Sequence, residues 1–128
     1  MPSTTQTLVT GPFQGGTVAE QNDRFRATWG TDPAVSGRVV ATRGVEALGP
    51  WALGRIVDAV MRFAAFTEDN DPFGLRDFGD FEVEVGGERV KLYWKIDLYD
   101  TAYKFGSDAP DDPARTRRLL TLLLPEEW

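Results

Sequence analysis

The sequence predicts an α+β fold: a four-stranded, mostly antiparallel sheet with two helices packed on one face. Three observations carry that expectation. Residues 80–99 alternate apolar and charged side chains on both sides of Gly86-Gly87. Leu53, Ile56, Val57, Val60, Phe63 and Ala64 recur at helical spacing after Gly49-Pro50. Two further apolar runs, 37–43 and 118–124, supply strands that need a neighbour.

Taken in order, residues 1–16 are Thr, Gln, Gly and Pro with few large apolar groups, a composition that does not offset the entropy of ordering. They read as a flexible arm before one domain spanning 17–128. Thr17-Val18-Ala19-Glu20 has the form of a capping box opening a helix to about Trp29, with Phe25 and Trp29 sharing its inner face. Gly37-Arg38-Val39-Val40-Ala41-Thr42 is a β-branched run that reads as the first strand. Pro50 stands at a natural first helical position, and the pattern behind it continues through Phe66, with Asp58 and Arg62 four apart on the solvated side.

A two-residue Gly-Gly loop fixes the register of the hairpin that follows. Val83 then faces Val90, Phe81 faces Leu92, Glu84 faces Arg89 and Glu82 faces Lys91, so every pair matches in character. Trp94, Ile96 and Leu98 prolong the apolar side. Residues 100–112 read as a surface excursion, with one helical turn through Ala102-Tyr103-Lys104 and a new turn starting at Asp112-Pro113. The run 119–124 is apolar in five of six places and fits helix or strand by periodicity. Strand is preferred, because Pro125 follows and the sheet needs a neighbour.

Composition removes whole classes of chemistry. The 128 residues contain no His and no Cys, which excludes thiolate nucleophiles, His-based relays, zinc fingers and Cys/His haem ligation. No cofactor is expected. The formal net charge of −6 argues against direct nucleic-acid binding, which needs a basic surface. No apolar run approaches the roughly 20 residues of a membrane span, and the N-terminus lacks the form of a secretory signal. These features point to the cytoplasm, away from membranes.

The densest acidic stretch is Thr67-Glu68-Asp69-Asn70-Asp71-Pro72-Phe73-Gly74-Leu75-Arg76-Asp77-Phe78-Gly79-Asp80, with five carboxylates against one Arg. Aligned on a calcium loop, Asp69, Asp71, Gly74, Asp77 and Asp80 fall at positions one, three, six, nine and twelve. The fit fails at Pro72, at Phe73 and at the twelfth position, where Asp80 replaces a bidentate Glu. The preferred reading is that Asp69 and Asn70 turn the helix end while Phe73 and Phe78 pin the loop to the core. A divalent-metal site or a metal-dependent enzyme using Asp69, Asp71, Asp77 and Asp80 is the alternative.

The outward side of the hairpin carries Glu82, Glu84, Arg89, Lys91, Tyr93, Lys95, Asp97 and Tyr99. It reads as a solvated sheet face or, more sharply, as a recognition surface, since Tyr beside charged groups suits protein contacts. Trp51 and Trp128 are further anchors or packing residues. Arg115, Arg117 and Arg118 read as a solvated cluster beside the last strand.

Several segments together resemble the bacterial family catalogued as domain of unknown function 3768: Asn22-Asp23-Arg24-Phe25-Arg26, Val39-Val40-Ala41-Thr42-Arg43-Gly44-Val45, the run from Phe66 through Thr67-Glu68-Asp69-Asn70-Asp71-Pro72 to Gly74, Asp77-Phe78-Gly79, and Trp94-Lys95-Ile96-Asp97. The resemblance covers about residues 20–127. Arg76 departs from it, as the family more often carries His there. It implies no activity; it implies a setting among mobile elements and hence an accessory role such as blocking a host defence protein. The function expected is a non-catalytic acidic protein-binding module whose partner is a basic nucleic-acid-binding protein. Its binding residues would be Asp69, Asp71, Asp77, Asp80, Tyr93, Lys95, Asp97 and Tyr99.

Overall fold

The computed structural model describes residues 16–128. The arm expected at 1–16 lies, apart from Gly16, outside the described residues. The first helix, α1 (Val18–Thr28), begins at the capping box read from sequence: Thr17 N–H donates to Glu20 Oε1 at 2.8 Å, and Glu20 N–H donates to Thr17 Oγ1 at 3.1 Å. It stops one residue before Trp29, which adopts a left-handed conformation at φ 52. The amides of Trp29 and Gly30 donate back to Arg26 O and Phe25 O, closing the last turn. Trp29 therefore leaves the helical spiral, although its ring still packs on the core.

Strand β1 (Gly37–Ala41) leads into a one-turn helix, α2 (Arg43–Glu46), which has no counterpart in the sequence expectation. Helix α3 (Pro50–Met61) follows, five residues shorter than its apolar periodicity predicts. The reason is tertiary. Arg26 Nη1 donates to Val60 O at 3.1 Å, in the last turn, and to Phe63 O at 2.9 Å, two residues past the helix end, while Phe63 N–H also closes back on Val60 O at 3.2 Å. Phe63 and Phe66 then turn edge-on to Trp94, with ring centres 5.5 and 6.1 Å away.

Strands β2 (Phe78–Val85) and β3 (Glu88–Tyr99) form the hairpin in the expected register, and all four expected pairs are present. The ion pairs, however, run diagonally rather than straight across: Arg89 bonds Glu82 at 2.7 Å, and Lys91 lies 3.7 Å from Asp80. Strand β2 also begins two residues earlier than expected. Gly79 sits opposite Trp94, where a Cβ would collide with the indole and with Phe63. The absent side chain is what lets Trp94 lie over the strand.

Residues 100–112 hold a turn rather than the expected helical turn. Asp100 Oδ1 accepts from Ala102 N–H and Lys104 N–H, and Tyr103 takes φ 58. A 3₁₀ turn, Pro113–Arg115, starts after Asp112 as the sequence predicts, and β4 (Arg117–Leu123) resolves the apolar run as a strand. The sheet order is β1-β4-β3-β2, with β1–β4 parallel and the other two pairings antiparallel. The fold is α+β with a mixed, mostly antiparallel sheet. Helix α1 contacts α3, and α3 contacts β2. Phe25, Val35, Val45, Ile56, Val60, Leu92, Trp94 and Leu120 are fully buried in the shared core. Among the described residues no helix is long and apolar enough to cross a membrane.

Candidate functional site

Strand parity decides what reaches the open side of the sheet. Even positions of β3 and β4 face the helices, which carries Arg118 inward along with Leu120 and Leu122. This corrects the solvated Arg cluster: Arg118 is fully buried, its Nε donating to Asn22 Oδ1 at 2.7 Å and Nη2 to Gln21 Oε1 at 3.0 Å. Burial pulls its guanidinium down to about 10.

Phe78 in β2, Tyr93 and Lys95 in β3, and Leu123 in β4 share the opposite face. That face is not uniformly solvated, because the C-terminal turn folds across it. Trp128 stands edge-on to Phe78 at 5.6 Å and to Tyr93 at 6.0 Å, while Phe78 and Tyr93 are 5.2 Å apart. Lys95 Nζ lies 5.3 Å from the Trp128 ring centre, and Lys91 Nζ lies 5.9 Å from that of Tyr93. A cleft of about 300 Å³ opens between Phe78, Tyr93, Pro125 and Trp128. A second cleft, about 230 Å³, adjoins it, lined by Asp77, Phe78, Lys95, Ile96, Asp97 and Trp128.

The tail that brings Trp128 here is held by one carboxylate. Glu127 Oε1 accepts from Thr42 Oγ1 and, at 2.8 Å, from Leu124 N–H; Oε2 accepts from Gly44 N–H at 3.0 Å. The hydrogen bond from Thr42, then that from the Leu124 amide, holds the Glu127 carboxyl below its ordinary range. At the cleft's edge the order reverses. Burial pushes the Asp77 carboxyl up, and the nearby Asp71 and Asp97 add to the shift against a hydrogen bond from its own backbone.

Of the eight residues expected to bind, five gather around these clefts: Asp77, Tyr93, Lys95 and Asp97 line them, and Asp80 stands opposite Tyr93. Lys95 and Asp97 are ion-paired at 3.3 Å. The other three stand elsewhere. Asp69 is exposed in the loop. Asp71 Oδ1 accepts from Arg76 N–H at 3.0 Å and serves to shape that loop. Tyr99 shares the open face by parity but lies at the far end of β3, away from the clefts, with Tyr103 at 6.3 Å. Among the described residues no three carboxylates come together as a metal site. The loop is also not pinned as expected: Phe73 is 84% exposed, and Phe78 belongs to the open face. Sequence reasoning thus misplaces Phe78, as it does Phe73 and Arg118. The even number of Phe78, shared with Asp80 and Glu82, is the signal that a longer β2 would have revealed.

A different arrangement lies behind the loop. Asp23 accepts from Arg26 Nη2 at 2.6 Å and from Arg76 Nη1, beside a cleft of about 280 Å³ that Phe63 and Phe66 help to line. The Arg26 guanidinium is 4.8 Å from the Trp94 ring centre, and its side chain is 4% exposed. Burial pulls its pKa down against the opposing pull of Asp23. Its bonds go to carbonyls in the last turn of α3 and just beyond it, so this cluster ties α1 to α3.

Fold and site define a small α+β protein with an aromatic cleft on the open face of a mixed sheet. The chain belongs to the family described as Protein of unknown function (DUF3768), whose family model matches residues 41–127. The segment 22–26 lies outside that span, and Trp128 stands one residue beyond it. No curated protein and no solved structure matches the chain.

Proposed function

We propose that this chain is a non-catalytic, acidic module that binds a basic protein through the open sheet face. The observation that carries the reading is Trp128, 70% exposed yet held against Phe78 and Tyr93. An aromatic side chain already positioned beside a cleft loses little freedom when a partner covers it. Asp77, Asp80 and Asp97 around the cleft, with the net charge of −6, favour a basic surface opposite. The narrower form of the proposal is an inhibitor that occupies the basic surface of a nucleic-acid-binding protein, as in the blocking of a host defence system. A cytoplasmic setting belongs to it, since nothing in the chain relies on a disulfide.

The test is affinity capture of a partner, followed by titration of the purified pair. Trp128→Ala or Tyr93→Ala is expected to weaken the complex by about 1 kcal/mol or more, and raising the salt to slow association. A complex indifferent to both substitutions and to salt would place the binding surface elsewhere.

A further inference from the structure

The open face ends at β2, which pairs with β3 on one side only. Ile96 N–H donates to Asp77 O at 2.8 Å, so Asp77 and Ile96 form a hydrogen-bonded pair. Alternation then turns the ladder groups of Gly79, Phe81 and Val83 toward β3. The N–H and C=O groups of Phe78, Asp80, Glu82 and Glu84 point away from the sheet. A side chain confirms this direction, because Arg55 Nη1 reaches the edge and donates to Glu84 O at 2.8 Å. Arg55 therefore plugs one end of the edge. Among the described residues nothing engages the outward backbone groups of Phe78, Asp80 and Glu82.

Resting on the reading of the chain as a protein-binding module, we propose that β2 accepts an extended strand of the partner, alternately basic and apolar, as a fifth strand of the sheet. Main-chain bonds to Phe78, Asp80 and Glu82 supply the pairing, and side chains supply the choice. On the open face the new strand lies beside Asp80, Glu82 and Glu84, which calls for Lys or Arg at alternate positions. On the other face it lies beside Phe81, Val83 and Val85, which calls for apolar residues between them. The same charges argue against a second copy of this chain, whose own acidic stripe would face them. Residues 1–15 contain no Lys or Arg, so they do not supply the complementary charge either.

The experiment uses the full chain and a short capped peptide alternating lysine and valine, with a glutamate–valine peptide as its counterpart. Hydrogen exchange of backbone amides is followed by NMR. The lysine peptide is expected to slow exchange at Asp80 and Glu82 by tenfold or more, and the glutamate peptide to leave it unchanged. Glu82→Pro removes only an outward N–H, so it should spare the β2–β3 ladder and lower peptide affinity by tenfold or more. If that variant does not fold, the Glu82→Lys/Glu84→Lys pair is judged by the same loss. Absence of lysine-peptide binding, binding without amide protection, equal binding of both peptides, or full affinity in these variants would overturn the proposal. So would self-association of the chain that Glu82→Pro abolishes. The reading of the open face as the binding surface fails separately, on a captured complex indifferent to Trp128, Tyr93 and salt.

Discussion

Arg26→Met removes the polar part of a buried side chain while keeping most of its stem, and its cost follows from what the guanidinium touches. Val60 O, accepting at 3.1 Å in a buried position, loses its Arg26 donor but keeps Phe63 N–H at 3.2 Å, so the loss is one charged hydrogen bond, at about 1–2 kcal/mol. The desolvated contact with Trp94, 4.8 Å to the ring centre, is worth about 1–2 kcal/mol more. Phe63 O is only partly buried and can turn to water, and Asp23 retains Arg76, so neither adds much. Relief from burying a cation offsets part of the sum. The expected net loss is about 2–3 kcal/mol, roughly 8–12 °C in Tm for a domain of this size. Arg76→Met is the control. Its side chain is 48% exposed where that of Arg26 is 4%, so its bond to the same Asp23 is worth under about 1 kcal/mol. Urea unfolding and scanning calorimetry read both variants. Equal losses, or less than about 1 kcal/mol for Arg26→Met at unchanged m, would refute the reasoning and show that desolvation cancels the bonds.

The remaining predictions concern the tail and the loop. Glu127 has a folded pKa below its ordinary 4.5, so its contribution to stability is full above that value and is lost as pH falls through the lowered one. Acid is therefore expected to release Trp128 from Phe78 and Tyr93 before the core unfolds, seen as a change in tryptophan emission that Glu127→Gln produces already at pH 7. Emission unchanged by that substitution would mean that the ring contacts alone hold the tail. For the acidic loop, a ligand at a hundred times its Kd adds about 2.7 kcal/mol of stability. Since the loop carboxylates are dispersed and Asp71 is engaged by Arg76, millimolar calcium or magnesium is expected to leave Tm nearly unchanged. A rise of several degrees, lost in Asp69→Asn/Asp71→Asn, would promote a metal site.

Local rules made the hairpin legible to the single residue. A two-residue Gly-Gly turn admits one register, and alternation then assigns each side chain a face. The capping box at Thr17 and Glu20 is as local, because both bonds lie within one helical turn. The shared face of Tyr93, Lys95 and Asp97 is legible for the same reason: it follows from parity along one strand. Tyr99 follows from the same parity, but alternation does not say how far along the strand the clefts reach; Asp69 and Asp71 rest on the charge and spacing of one loop, which say nothing about distance across the fold, and all three lie apart from the clefts.

What the sequence by itself determined is whatever depends on neighbours within a few residues: the α+β class, the register of β2 and β3, the start of α1, and the exclusion of Cys and His chemistry. Tertiary structure decided the rest, because the deciding partner is distant in the chain. Helix α3 ends at Met61 and not at Phe66 because Arg26, from α1, holds Val60 O in its last turn and Phe63 O just beyond it. The 119–124 run is a strand because β1 and β3 lie on either side to satisfy its backbone. Arg118 is interior because its strand's alternation aims it at Gln21 and Asn22, nearly a hundred residues away. The aromatic cleft exists because Glu127 finds Thr42 and Gly44, and that bond carries Trp128 onto a face that composition alone describes only as charged.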